Sequence, residues 1–223
     1  MFVLKVIFVT GTGTEVGKTY VASMLAAREL RAGIRVGVYK PVASGCIRGE
    51  SSGQVNFVDS PPPLVSNDAE LLWRAAGKPL DLDAVCPQRF QAALAPDEAA
   101  RREGKTVDRA LLLSGLQRWR GHCETLIVEG AGGLFSPLAE GFLNLDLFLQ
   151  LDDAELVLVA ANRLGVIHDV IATCRAAELQ AAGVSRLVLT AAGPKGDESS
   201  SSNAAQLKSL CPGLDISELA WQS

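Results

Sequence analysis

Residues 5–31, KVIFVTGTGTEVGKTYVASMLAARELR, pass from an apolar, β-branched run through a glycine-rich loop into a helical pattern that opens at Gly-Lys-Thr. This order constrains the fold more than any other stretch of the chain. A strand that ends in glycines and feeds a helix N-terminus makes a ring of inward backbone N–H groups, and the helix dipole adds partial positive charge. Such a ring suits phosphate. Gly11, Gly13 and Gly17 allow the backbone to turn, Lys18 can reach the outer phosphates, and the Thr19 hydroxyl can ligate Mg²⁺. The ordinary loop of this kind has four residues between its first glycine and Gly-Lys-Thr, whereas five separate Gly11 from Gly17. Read alone, the alternative is a plain strand–helix turn with an exposed lysine.

Four further apolar runs resemble the first, VIFV (6–9): RVGVY (35–39), TLIVE (125–129), LVLVAA (156–161) and RLVLT (186–190). They are nearly continuous rather than alternating, which is the pattern of strands covered on both faces. Helical patterns lie between them at 17–31, 108–120 and 167–182, the last closed by Gly183 as a C-terminal cap. The alternation predicts an α/β chain, one phosphate-loop NTPase-like domain over residues 1–223, with a doubly wound, mostly parallel sheet and helices on both faces. Two segments rich in Gly, Ser and Pro, 49–67 and 193–203, read as irregular loops.

At 223 residues and 48% hydrophobic, the chain can bury a sizeable core. Its net charge of −4, without a basic tract, argues against nucleic acid or a membrane surface as partner. The five cysteines are scattered and contain no CxxC pair, which points to free thiols in a reducing cytoplasm. No run approaches the roughly 18 apolar residues of a membrane span, and the apolar N-terminus reads as a first strand, not a leader. His122 and Cys123 have no further ligands at metal spacing, and Trp73, Trp119 and Trp221 are dispersed enough to be packing residues.

Four residues outside the loop could add chemistry. Glu129 closes TLIVE just before GAGG (130–133), at the end of a parallel strand where doubly wound folds bind ligands. Asp68, in SNDAELL, could serve a metal held by Thr19 or could equally be a helix N-cap. Lys40 ends the second strand in YKPVASG, with Ser44 four residues on. Its ammonium is placed either to hold an anion beside the phosphate loop or to point into solvent.

FVTGTGTEVGKT, GVYKPVASG, SNDAELL and VEGAGGLFSPL occur in the order and spacing of dethiobiotin synthetases, and the chain resembles that family from residue 5 to about 183. The stretched loop ending in TEVGKT is typical of it. The resemblance implies a homodimeric, Mg²⁺-dependent, cytoplasmic enzyme that closes 7,8-diaminononanoate, CO₂ (or bicarbonate) and ATP into a cyclic urea. It implies that Thr14, Glu15, Val16, Gly17, Lys18 and Thr19 cradle ATP, with Gly130, Ala131 and Gly132 on the nucleotide side. Thr19, Asp68 and Glu129 would surround Mg²⁺ and bear on the nucleotide as well. Lys40 and Lys18 would be catalytic, and Thr14, Lys40 and Ser44 would meet the diamine or its carbamate.

The chain departs from the family pattern in several places. NRLGVIHDV has His168 and Asp169 where Asn-His is usual, in a segment that would reach the partner's substrate carboxylate. An aspartate there would repel a carboxylate unless it turns away as a helix N-cap. Ala191 and Ala192 stand where an asparagine would read adenine, and alanine has no side-chain donor or acceptor. The C-terminal segment that would enclose the base has no clear counterpart in LDISELAWQS, and Asp97 stands where a histidine is common. These differences predict relaxed base selectivity with the phosphates as the main anchor. Two other readings remain at this point: a partitioning or carrier ATPase of the deviant phosphate-loop group, which would want a lysine where Thr12 stands, and a nucleotide-binding relative without turnover.

Overall fold

Strands apolar at consecutive positions must be covered on both sides, and alternate residues must then serve two different cores. The computed structural model, which describes residues 4–49 and 62–221, meets that requirement. The elements run β1 (Lys5–Gly11), α1 (Lys18–Arg31), β2 (Val36–Tyr39), β3 (Val42–Ala43), β4 (Ile47–Arg48), β5 (Leu64–Val65), α2 (Asn67–Ala75), α3 (Leu82–Val85), β6 (Gln88–Arg89), α4 (Pro96–Arg102), α5 (Arg109–Gln117), β7 (Thr125–Gly133), β8 (Pro137–Ala139), β9 (Phe142–Leu143), α6 (Asn144–Phe148), β10 (Glu155–Asn162), α7 (Val166–Leu179), β11 (Arg186–Ala191), α8 (Ser200–Leu210) and β12 (Asp215–Leu219).

The main sheet has the order β12-β11-β10-β1-β7-β2, and every pairing in it is parallel. Leu158, Ala160, Leu187 and Leu189 join Val166, Val170, Ala204 and Leu207 in one buried cluster. The intervening Val157, Val159 and Val188 belong to a second, larger cluster with Val21, Leu25 and Leu72. β10 and β11 therefore each feed two clusters, which is the physical meaning of their unbroken apolar runs, while the buried apolar side chains of β1, β2 and β7 all belong to the larger one. The chain winds from β1 out to β2, back through β7, and then across β1 to β10, so the crevice at the C-terminal ends of β1 and β7 is the place a doubly wound sheet offers to a ligand.

All five predicted strands form, four of them within a residue or two of the expected ends, while β7 runs on through the GAGG stretch to Gly133. β12 was not foreseen, because DISEL is a short edge strand with little buried surface. Three boundaries also differ from expectation. Helix α7 stops at Leu179, and its left-handed closing residue is Ala181 at φ 57°, not Gly183. The N–H of Ala182 bonds to Ala177 O and that of Ala181 to Glu178 O, the paired bonds of a Schellman end, and Ala182 is fully buried behind them. Burial of that methyl group fixes the end of the helix in place of a glycine's freedom.

The 193–203 segment is only partly a loop, since α8 begins at Ser200. Asp197 accepts from the Ser199 N–H and hydroxyl, and Asn203 is buried against Asn162, so local capping and tertiary contact overcome the weak helix preference of the serines. In the 49–67 segment, β4 and β5 pair as antiparallel stems, and residues 50–61 lie outside the described residues.

Gly37, in the middle of β2, packs against Trp119, which is fully buried. A Cβ there would lie 2.5 Å from the Trp119 ring and 2.7 Å from Cys123 Sγ. Gly37→Ala is expected to cost about 1–3 kcal/mol through overpacking, measured as a lower midpoint in thermal unfolding of the purified protein.

Candidate functional site

Gly11 closes β1 with no space for a side chain: a Cβ there would sit 2.6 Å from Val16 Cγ2 and 2.9 Å from the Gly13 carbonyl. The loop then turns through Glu15 at φ 55° and Gly17 at φ 87°, the left-handed N-cap of α1. A left-handed non-glycine residue costs about 1–2 kcal/mol, so the loop holds Glu15 against its preference. Val16 O is fixed by the Thr190 hydroxyl at 2.8 Å. Lys18 is buried and folds back over the loop, its ammonium donating to the Gly13 carbonyl at 2.7 Å.

Lys40 follows β2 directly, and its backbone N–H donates to Val85 O at 2.8 Å. Its side chain is buried between two carboxylates, with Nζ 2.5 Å from Glu129 Oε1 and 3.2 Å from Asp68 Oδ2. Glu129 lies opposite Val9 in the β1–β7 register and is wholly buried. Its Oε1 also accepts the Thr19 hydroxyl at 3.0 Å, while Oε2 is buried with no partner among the described residues. Burial alone would lower the pKa of Lys40, but Glu129 and Asp68 outweigh it and hold the ammonium above its ordinary value. Burial lowers that of Lys18 to about 8, against the pull of Glu129 and with a push from Lys40. One lysine is therefore locked in its charged form, and the other is poised.

These residues line a cavity of about 400 Å³ together with Thr14, Glu15, Gly17, Ser44, Ala131 and Gly132. Tyr20 and Ala43, which the sequence did not single out, line it too. Val16 and Gly130 are not among its lining residues. Gly130 packs on Asn144, whose fully buried side-chain amide accepts from Ala131 N at 3.0 Å and donates to the carbonyls of Ala131, Gly133 and Ser136 at 2.7–3.0 Å. Asn144 thus shapes the GAGG backbone that walls the cavity. A polar residue inside the apolar run FLNLDLFL is the only trace it leaves in the sequence. Ser44 donates to Leu94 O at 2.6 Å.

The residues present fit a hard divalent cation. The partnerless, buried Glu129 Oε2, the Thr19 hydroxyl and the half-exposed Asp68 offer oxygen only, the donor set for Mg²⁺. Among the described residues no cluster of three or more His, Cys, Asp or Glu could hold a metal by itself, so phosphate oxygens and water would complete the shell, as Mg²⁺ prefers.

Several alternatives left open by the sequence are decided here. Asp68 is not the N-cap of α2: Ser66 is, accepting from Ala69 N, and the carboxylate of Asp68 turns to Lys40. Asp169 is not an N-cap either, because Gly165 takes that position in a left-handed turn, and Asp169 pairs with Arg163 at 3.2 Å. Trp119 is a packing residue, but Trp221 is 49% exposed. It lines a second, smaller slot of about 220 Å³ with Ala191, Ala192, Leu219 and Ala220, and Glu15, Gly17 and Tyr20 line both slot and cavity. The C-terminal segment therefore does have a place beside the loop. Pairing of β12 with β11, Thr190 opposite Leu219, carries it there, a long-range contact that local pattern could not reveal.

Comparison with known proteins agrees with this geometry. A family model described as an AAA domain matches residues 5–212. The ATP-dependent dethiobiotin synthetase of Rhodopirellula baltica is 46% identical over 213 residues, covering 92% of this chain and 79% of that protein. This chain belongs to the dethiobiotin synthetase family. The Bacillus subtilis member is 36% identical over 92% of the chain and 82% of its own length, and one from Anaeromyxobacter dehalogenans is 35% identical over 98% and 91%. Among solved structures, a ParA family ATPase from Chlorobium tepidum matches with TM-score 0.57 and 14% identity over 98% of this chain and 85% of that one. The hydrogenase maturation factor HypB from Archaeoglobus fulgidus matches with TM-score 0.55 and 14% identity over 97% and 81%. These likenesses establish the phosphate-loop fold. The family separates this chain from the partitioning ATPases that share that fold.

The lowered pKa of Lys18 sets two pH trends. Between about 8 and its ordinary 10.5 the unfolded chain holds the proton that the folded chain has lost, so this group's contribution to stability rises with pH across that window. An anionic ligand binds the charged form. Pyrophosphate binding is expected to take up a fraction of a proton that grows as pH passes 8, and to weaken by up to about tenfold per pH unit above it. Calorimetric titration in buffers of different ionisation heat reads both, and Lys18→Met should remove the share that belongs to Lys18, leaving the ionisation of pyrophosphate itself.

Proposed function

We propose that this chain closes 7,8-diaminononanoate and CO₂ into the ureido ring of dethiobiotin with ATP, releasing ADP and phosphate, as the last step but one toward biotin. The observation that carries this reading is the cluster in which Lys18, Lys40, Thr19, Asp68 and Glu129 converge on one cavity at the mouth of the phosphate loop. It is what an acyl-phosphate chemistry between two anions needs. The ATP phosphates lie along the loop from Thr14 to Thr19, and the nucleoside extends into the neighbouring slot.

A substrate amine captures CO₂ as a carbamate and loses a proton. A carbamate oxygen attacks the γ-phosphorus, and ADP leaves. The second amine attacks the carbonyl of the resulting carbamic–phosphoric anhydride, expels phosphate and closes the ring. Carbamate and triphosphate are both anions, so their approach must be offset by positive charge fixed in advance. Lys18 and Lys40 supply it. The pairing of Lys40 with Glu129 and Asp68 keeps it protonated, which makes it an electrostatic clamp and not a base. Ser44 and Thr14 position the carbamate end, and holding the two reactants in line accounts for much of the rate. Mg²⁺, bound by Thr19, Asp68 and Glu129, would draw charge from the phosphate oxygens. The active form is a dimer in the cytoplasm, in line with the family resemblance.

Phosphate release with diaminononanoate, bicarbonate, Mg²⁺ and ATP, with the product weighed by mass spectrometry, tests the reading. Diamine-dependent release with dethiobiotin formed is the expected result, and release without diamine dependence would refute it. Lys40→Ala is expected to lower kcat/KM by about 10²–10³, the usual loss when a group that stabilises developing negative charge is removed. Steady-state kinetics with the diamine varied reads that loss.

A further inference from the structure

The slot beside the phosphate cavity is poor in hydrogen-bonding side chains. Ala161, Ala191, Ala192 and Ala220 have none to offer. Thr190 already donates to Val16 O at 2.8 Å and packs against Gly17. What the slot does hold are two aromatic rings, Tyr20 and Trp221, 38% and 49% exposed. Tyr20 lines both spaces and so stands where the phosphates of a nucleotide give way to its nucleoside. Trp221 lines the slot only. Its exposure contrasts with Trp119, which is fully buried, so packing does not account for it.

We infer that Trp221, with Tyr20, holds the nucleoside base by stacking, and that the slot takes purine and pyrimidine triphosphates alike because Ala161, Ala191, Ala192 and Ala220 offer nothing to read the Watson–Crick edge. Stacking tolerates any base, since every base has a π-face. An edge-reading site rejects the wrong base by leaving a buried polar group unpaired, and the alanines leave nothing to be unpaired. The remaining charged group at the slot, Glu15, is exposed and would favour the amino bases adenine and cytosine together, which does not separate purine from pyrimidine. This inference rests on the nucleotide part of the proposed function and is independent of the diamine chemistry.

The test is tryptophan fluorescence without diamine, titrating ADP, GDP, CDP and UDP against pyrophosphate, with calorimetry in parallel. All four nucleotides are expected to quench emission, with dissociation constants within about fivefold of one another. Pyrophosphate should bind without quenching. Trp221→Ala should weaken all four by about tenfold, in the range that loss of one base-stacking ring produces, and leave pyrophosphate affinity as it was. Trp221→Phe, which keeps a ring, should restore most of the loss. A preference for adenine above about a hundredfold would mean that polar groups read the base and would overturn the inference. So would nucleotide affinity unchanged in Trp221→Ala, or pyrophosphate weakened equally with the nucleotides. If these titrations succeed and no dethiobiotin forms, the diamine reading fails and this one stands. If dethiobiotin forms and Trp221 is silent, the reverse holds.

Discussion

A lysine ammonium buried between two carboxylates governs the rest of the site. Isolated, either Lys40 or Glu129 would be too costly to bury in its charged form. Together they bring the end of β2 to the middle of β7, and through Asp68 they bring in the start of α2. The Thr19 hydroxyl bonds to the same carboxylate oxygen, which ties the first turn of α1 to the pair. Two strands and two helices therefore meet at one charge cluster. The cluster is also incomplete, since Glu129 Oε2 has no partner among the described residues. A site satisfied on one side and unsatisfied on the other has a built-in preference for a cation arriving from the cavity.

Around that cluster the protein uses backbone more than side chains. The phosphate loop presents amides because Gly11 and Gly17 leave no atom in the way, and the opposite wall presents the GAGG backbone because Asn144 satisfies it from behind. Fixed dipoles of this kind do not reorganise when charge moves, which is the property phosphoryl transfer asks of its surroundings. The division of labour is clear in the two lysines. Lys40 is held charged by its neighbours, whereas Lys18 is partly desolvated and gains most from an anion that comes to it.

The parts of this arrangement written as local pattern were legible in the sequence. The five apolar runs could only be strands covered on both faces, and the order of strand, glycines and Gly-Lys-Thr left little freedom for the loop. Lys40 and Glu129 could be singled out because each ends an apolar run. Their pairing could not, since it depends on β2 lying beside β7, a contact across 89 residues. Asp68 was ambiguous for the same reason: its neighbour Ser66 takes the cap, and only the fold shows it. Asn144, β12 and Trp221 were out of reach. The first is a polar residue whose partners are all backbone, the second an edge strand with hardly any buried face, and the third matters only because that strand carries it to the loop.

The hydrogen bond from Thr190 to Val16 joins the tip of β11 to the phosphate loop, and Gly17 lies against the same threonine methyl group. Strand tip and loop are in effect one rigid piece. A change at Thr190 made to suit a different nucleoside would shift the loop amides that hold the phosphates, so this position is closed to adaptation. The freedom to alter nucleoside choice is left to Ala191, Ala192 and the tail after β12, which touch the slot without bracing the loop. Tuning of the nucleoside end is thereby insulated from the chemistry at the phosphate end.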